Sequence, residues 1–404
     1  MPKGFVTEIK TLFLGREVML NLLVCIVWAS SMLGYMRGII NHIPVLGDYT
    51  DQVEVMIVVL PLVLSLPILV GRLALFDYVF LAFYLMYYAL TYITHPENEI
   101  FLNKFAFECL CLALPGYIVG RLMEIDKYYN TFALLSAICV LVNVAYFAVY
   151  AQSAKNMAEV AGDDNMYTAY MALPHVVMMA WVAMRRFNIV AIVLTFMGMA
   201  FLLSCGTRGP LFCAGTFCIL YFVFFMNFRY AMAIKCAVCV IMLVSILFFH
   251  EIMSFIAYWF TDMQLSTRII EKVLSGEIGG DSGRGWLRGL VWRNIDVHGD
   301  FFGLGMLGSK VYGVIYPHQV MLDFISTFGY VLGTLLLLAL FLLIGWSLWL
   351  TRGTDNQKFL LLLVTVGLLK LFLSSSFVFE LFFFILVGYC VRQIFDHRQT
   401  AYIQ

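Results

Sequence analysis

Of the chain's 404 residues, 63% are hydrophobic and only 12% charged, with a mean hydropathy of +0.91. A soluble domain carries roughly 25% charged residues, so composition excludes an ordinary soluble enzyme and reads as an all-α polytopic membrane protein. The 25 Lys and Arg balance 25 Asp and Glu, and a net charge of zero argues against a nucleic-acid partner.

The first 18 residues are mixed and polar (Lys3, Glu8, Lys10, Arg16). They read as no cleavable leader, and the apolar run over 19–40 reads as a retained anchor. Runs of about 17 to 25 apolar residues have the length of a membrane helix. They fall near 19–40, 53–70, 73–94, 105–122, 130–151 and 166–184, then near 188–205, 209–227, 231–250, 329–350, 358–374 and 376–392. About twelve spans are therefore expected in a single integral membrane domain over 1–404, with both termini on one side. Fourteen Lys and Arg lie at the termini and even-numbered loops, against four on the short odd-numbered loops (Arg37, Lys104, Lys155, Arg208). The positive-inside bias then predicts cytoplasmic termini. It also predicts that the long polar stretch over 251–317, between the ninth and tenth spans, faces the periplasm or cell exterior.

Several residues along the chain invite a reading. Asp163 and Asp164 precede the sixth span as an adjacent pair, either a metal or sugar site or a solvated pair. His175, beside Pro174 within that span, reads as a hydrogen-bonded core histidine. Cys205-Gly-Thr-Arg208-Gly-Pro210 joins the seventh and eighth spans. Pro210 suits the first turn of the next helix. Arg208 reads either as an anion ligand at a helix start or as a snorkelling arginine in a tight turn. Nearly all of the ten cysteines sit in apolar runs as small hydrophobes. Cys236 and Cys239 have zinc-like spacing but no second pair and no histidine nearby, so no metal site is expected.

The polar stretch gathers Arg268, Lys272, Arg284, Arg288 and Arg293. On a helix Arg284 and Arg288 share a face at i and i+4, while Trp286 and Trp292 suit a membrane interface. Gly303-Leu-Gly305-Met-Leu-Gly308 follows, then Tyr316-Pro317-His318-Gln319. Pro317 is read as starting a helix on which Leu322, Ile325 and Gly329 follow His318 down one side. Gly329 and Gly333 form a small-xxx-small step. A neutral imidazole at such a mouth can accept a proton from a sugar hydroxyl. Asp323, five residues on, reads chiefly as a helix-surface carboxylate and secondarily as a group that orients or shares that proton. Lys370 and Glu380 flank the turn Ser374-Ser375-Ser376 inside apolar helices, where an unpaired charge is costly. They are expected to pair or to line a cavity.

In this order the elements over roughly 190–390 resemble the O-antigen ligase and Wzy-type O-antigen polymerase superfamily of bacterial membrane glycosyltransferases. Shared are a Thr-Arg-Gly step between spans, a Gly-Arg and Gly-x-Gly run in the outer loop, and a His-Gln helix with Gly-x-x-x-Gly. Residues 1–185 match only as generic apolar spans. The resemblance implies a GT-C-like helical fold in the bacterial inner membrane and a donor glycan on undecaprenyl pyrophosphate. It implies arginines on the pyrophosphate, a histidine base, and no metal or other cofactor. Carried over residue by residue, Arg208 and Arg284 bind the donor and His318 is the base. Arg288 joins the donor site by spacing, and Gln319, Asp323 and Arg293 are accessory candidates. Gln319 stands where Asn is commoner. The acceptor would be a lipid-linked repeat unit for a polymerase, or lipid A-core for a ligase. A flippase and a chain-length regulator are implied as partners. A transporter or lipid-linked sugar flippase is the reading from another class. It fits less well because the polar residues cluster on one face and the halves look dissimilar.

Overall fold

The computed structural model describes residues 17–30, 32, 50–153, 162–205, 207–226, 248–262, 274 and 283–403. Among these residues regular structure is helical, with no strand and one isolated bridge, Asp300 to Gly303. Seven helices are long and apolar enough to cross a membrane, or eight if one bent pair counts as a single span. The chain is a polytopic membrane protein. It divides into two compact units, Met1–Thr131 with Ser282–Gln404, and Phe132–Asp281.

The first unit opens with α1 (Val18–Trp28), α2 (Thr50–Arg72) and α3 (Leu75–Thr94). Asp77, in the first turn of α3, accepts from the amide of Ala74 at 2.7 Å and closes the helix start. It is fully buried, and accepts also from the Tyr117 hydroxyl at 2.7 Å and from Arg121 Nε at 3.1 Å. A buried carboxylate so partnered is tolerated where an unpaired one would not be. The fourth apolar run, expected as a span near 105–122, is the second arm of a bent helix pair that starts at Pro96. A 3-10 turn at Pro96–Asn98 and α4 (Glu99–Lys104) meet a π-helical turn at Phe107–Leu112 and α5 (Ala113–Leu122) at 67°. A π turn widens the hydrogen-bond ladder and is a recognised cause of such kinks.

Helix α6 (Ile125–Ser153) carries the chain into the second unit, where α7 (Gly162–Arg186) packs with α8 (Ile189–Ser204) and α9 (Arg208–Phe225). His175 is buried in α7 with Nδ1 3.2 Å from Ser136 Oγ, the satisfied core histidine that the sequence suggested. Asp163 and Asp164 lie in the first turn of α7, with their side chains outside the described set. The amphipathic α10 (Phe249–Asp262) exposes Phe255, Tyr258 and Trp259. Most of the expected span over 231–250 lies outside the described residues, as do Cys236, Cys239, Arg268 and Lys272. The described cysteines are mostly buried.

The chain re-enters the first unit at α11 (Arg284–His298) and passes the short α12 (Gly308–Val311) to α13 (Val320–Phe328) and α14 (Tyr330–Leu350). Helix α15 (Asp355–Leu363) runs through a π turn at Val364–Leu369 into α16 (Lys370–Leu373). A 3-10 turn at Phe377–Phe379 then leads to α17 (Leu381–Ile403). Every residue from Leu381 to Val391 is buried, so α17 is the unit's central helix, apolar on all sides.

Lipid tails are as apolar as Leu, so membrane helices associate through close packing rather than escape from water. The seam between α5 and α17 shows how close. Gly116 and Gly120 form a small-xxx-small step facing α17. A Cβ added to Gly120 would stand 2.2 Å from the carbonyl oxygen of Ile385, and one added to Gly388 would stand 2.1 Å from that of Tyr117. Both obstacles are backbone, so no rotamer change relieves them. Gly388→Ala should therefore separate the two helices. Overpacking typically costs about 1–3 kcal/mol, and a backbone clash belongs at or above the top of that range. Gly345→Ala, where nothing lies within 4 Å, should be neutral. Thermal unfolding in detergent of the two variants beside the parent checks the contrast.

Candidate functional site

The polar segment after α11 is pinned by side chains of α3 and the turn that follows it. Tyr87 donates to the carbonyls of Phe302, at 2.9 Å, and Thr327. Thr91 Oγ1 accepts from the Met306 amide at 3.3 Å, and Asn98 Nδ2 donates to the carbonyls of Leu304 at 2.8 Å and Met306 at 3.1 Å. His95, also buried, lies with Nδ1 3.3 Å from Glu97 and Nε2 3.6 Å from Asp300. Sequence reasoning set this region aside as generic spans. The available signal was Tyr87, Thr91 and His95 at four-residue steps, a polar stripe down one face of an apolar helix.

Helix α13 does not begin at Pro317. Gln319 is its N-cap, in extended conformation with φ −160, and His318 lies outside the helix with φ +56. The expectation that His318 heads a helical face with Leu322, Ile325 and Gly329 is therefore corrected. A left-handed residue reverses the chain direction before the helix starts, so the helical register does not reach back to it. That conformation costs a non-glycine residue roughly 1–2 kcal/mol and persists only where surroundings over-determine it. Here they do. The His318 ring packs edge-on against Tyr316 with centroids 4.4 Å apart, and Nδ1 lies 3.3 Å from the carbonyl oxygen of Leu373. A carbonyl can only accept, so Nδ1 carries the hydrogen and Nε2 keeps its lone pair. Burial holds the imidazole's pKa below its ordinary 6.5, the carbonyl of Leu373 opposes that, and the charges of Arg284 and Arg288 add to the lowering. The ring is a neutral base at pH 7.

The two arginines reach this electrostatic neighbourhood because α11 buries its other residues first. Leu287, Leu290, Val291 and Ile295 pack onto Leu304, Val314 and Leu322. Arg284, the first residue of α11 after the left-handed Gly283, and Arg288, one turn on, are both half-buried. Arg288 Nε donates to the Arg284 carbonyl at 3.3 Å. Arg293 is exposed, and nine residues from Arg284 place it on the opposite side of the helix. Trp286 is exposed, while Trp292 stacks on Tyr330, whose hydroxyl donates to Asp296 at 2.8 Å. Arg208 belongs to the second unit, as the half-buried first residue of α9 with Pro210 in the first turn.

Asp323 is not a surface carboxylate. It is buried in α13, and its Oδ2 accepts from the Phe377 amide at 2.9 Å. Burial raises its pKa to about 7, against the lowering effects of the Phe377 amide, the Ser376 hydroxyl and the charge of Lys310. It lines a recess of about 10 Å³, shared with Lys310, Tyr316, Pro317 and Ser376, roughly the room of one water. Lys310 stands over the rings of Phe105 at 4.5 Å and Phe379 at 5.3 Å. Burial lowers its pKa, Lys104 lowers it further, and Asp323 raises it.

Lys370 and Glu380 form the buried ion pair expected of them, and Ser375 Oγ donates to the same Glu380 oxygen at 3.2 Å. Among the described residues no three His, Cys, Asp or Glu side chains gather as a metal site. No protein-family model, curated protein or solved structure matches the chain.

The buried pair predicts a non-additive pattern. Removing one partner strands the other charge, typically at about 3–5 kcal/mol, whereas replacing both is often close to neutral. Lys370→Met or Glu380→Gln alone should lower the unfolding midpoint in detergent clearly. The double variant should recover most of the loss, as a double-mutant cycle would measure.

Proposed function

We propose that this protein is a bacterial membrane glycosyltransferase acting on glycans carried by a polyprenyl pyrophosphate. More specifically, we propose a surface-polysaccharide polymerase that transfers the growing glycan onto the non-reducing sugar of a second lipid-linked repeat unit. One observation carries the reading. His318 has its Nδ1 fixed by a backbone carbonyl, its Nε2 available, and two arginines close enough to act on its charge. A base beside paired cations is what transfer from a pyrophosphate requires. The leaving group is already good, so the protein needs only to hold its charge, align an acceptor hydroxyl and remove one proton.

In the reaction Arg284 and Arg288 grip the pyrophosphate by bidentate hydrogen bonds. His318 Nε2 takes the acceptor's proton as the acceptor oxygen bonds to the anomeric carbon. The bond from that carbon to the pyrophosphate breaks, and attack from the opposite side inverts the centre. The resemblance gives Arg208 the same charge-binding task, and the transfer is proposed to need no metal. Twelve spans, cytoplasmic termini and an outward-facing polar stretch over 251–317 complete the reading, and the fourteen-to-four charge bias supports that orientation.

Purified protein given undecaprenyl-pyrophosphate repeat units alone should build a ladder of products. Product only when lipid A-core is added would make it a ligase, and no transfer in either mixture would reject the proposal. His318→Ala should lose about 10²–10⁴-fold in kcat with donor binding largely kept, since a general base acts in the transition state. Arg284→Ala and Arg208→Ala should weaken donor binding as well, by about 10–100-fold for one charged hydrogen bond of roughly 1.5–3 kcal/mol.

The pH profile offers a separate check. Because the His318 pKa is lowered from 6.5, the acid limb of the kcat/KM profile should have its midpoint below pH 6.5. Arg288→Gln removes a like charge, so the imidazole should protonate more readily and the acid limb should move to higher pH.

A further inference from the structure

The turn between α16 and α17 holds three consecutive serines, and each is bonded to a different part of the first unit. Ser374 Oγ donates to the Tyr316 hydroxyl at 3.4 Å, Ser375 Oγ to Glu380 at 3.2 Å, and Ser376 bonds Asp323. The amide of Phe377 is spent on Asp323 as well. The residue just before the serines is Leu373, whose carbonyl meets His318 Nδ1. A connection between two helices needs none of this. Apolar residues or a glycine would make the turn without placing two buried carboxylates, Asp323 and Glu380, around it at the cost of desolvating both. Ser375 is held moreover at φ +75, a conformation that serine adopts only when its neighbours impose it.

The two faces of the turn have separate duties. Glu380, paired with Lys370, holds the middle serine to α16 and to the start of α17. Asp323 ties the turn by hydrogen bonds to α13, the helix that begins two residues after His318, beside the packing of Phe324 and Phe328 on the Phe377 ring. The imidazole is thus gripped through both ends of one short circuit, by the backbone running from His318 through Gln319 into α13 and by the carbonyl of Leu373. Asp323 closes the circuit.

We propose that Asp323 is a positioning residue for His318: by holding Ser376 and the Phe377 amide it fixes the turn that presents the Leu373 carbonyl, and so sets the tautomer that leaves Nε2 free. It touches neither the imidazole nor the reacting atoms. The consequence for catalysis rests on the transferase reading above, whereas the consequence for the imidazole does not.

The test separates the two. Histidine-selective ¹⁵N labelling of the full-length protein in detergent, with the His318 signals assigned by their loss in His318→Gln, reports which ring nitrogen bears the hydrogen. The parent should show Nδ1–H. In Asp323→Ala the ring should redistribute toward the Nε2–H form that an unconstrained imidazole favours. Its kcat should fall by about 10–100-fold, a part of a general base's full contribution, with KM for the lipid donor changed less than about threefold. Asp323→Asn keeps an acceptor for the Phe377 amide and a polar partner for Ser376, and should restore both readouts. If Asp323→Ala does not fold, Ser376→Ala, which removes one of the two bonds and adds no buried charge, should give the same redistribution in smaller measure. A parent-like ¹⁵N signature in whichever variant folds would overturn the proposal and leave the transferase reading standing. A coupled tautomer in a protein without transfer activity would do the reverse.

Discussion

The structure of the first unit depends on one constraint, the contact of bare backbone on bare backbone between α5 and α17. With no room for a Cβ at Gly120 or Gly388, the helices lie at a distance that side-chain choice cannot vary. Asp77, Tyr117 and Arg121 lock α3 to the same seam through buried, fully partnered charge. The elements attached to the N-terminal end of α17 inherit this fixity. The 3-10 turn at Phe377–Phe379, the Lys370–Glu380 pair and the serine turn hang from its N-terminal end, and the carbonyl that meets His318 hangs from the turn. In lipid, where burying apolar surface between helices gains little, such interlocking is what can carry precision from the centre of a bundle to its rim.

The second contributor is the grip of α3 on the polar segment. Tyr87, Thr91 and Asn98 satisfy carbonyls and an amide of the 302–306 loop that secondary structure leaves unpaired, and buried backbone groups without partners are expensive. The loop that precedes His318 therefore belongs to the packed body of the unit. Lys310 continues the theme, with its ammonium against two aromatic faces and its charge felt by Asp323. In such a setting charges act on one another more strongly than in water, which is why the two arginines of α11 can bias a half-buried imidazole.

Composition and run length made the membrane class and most helix positions legible, because an apolar run of spanning length has few other uses. The pairing of Lys370 with Glu380 was legible for the same reason, a charge within an apolar helix being costly without a partner. The shared face of Arg284 and Arg288 followed from helical spacing. What escaped was whatever depends on a partner distant in sequence. Periodicity ran His318 into α13 because Pro317 resembles a helix start, whereas the left-handed turn is imposed by Tyr316 and Leu373. Asp323 read as a surface carboxylate because its partners, Ser376 and Phe377, lie more than fifty residues on. Gly116 and Gly120 carried a visible small-xxx-small spacing, but only the facing Gly388 gives it meaning.

Gly329 separates α13 from α14 with a φ of +79, and Phe301 leaves no space for a side chain there. The amide of Gly329 closes the first helix on Ile325, and its carbonyl opens the second toward Gly333. Two hydrogen-bond ladders thus meet without sharing a register. The length of α14, which matches a bilayer, is consequently set apart from the hydrogen-bond ladder of α13. Residues gained or lost in the lipid-facing stretch of α14 change tilt or hydrophobic thickness without adding or removing a turn in the ladder of α13.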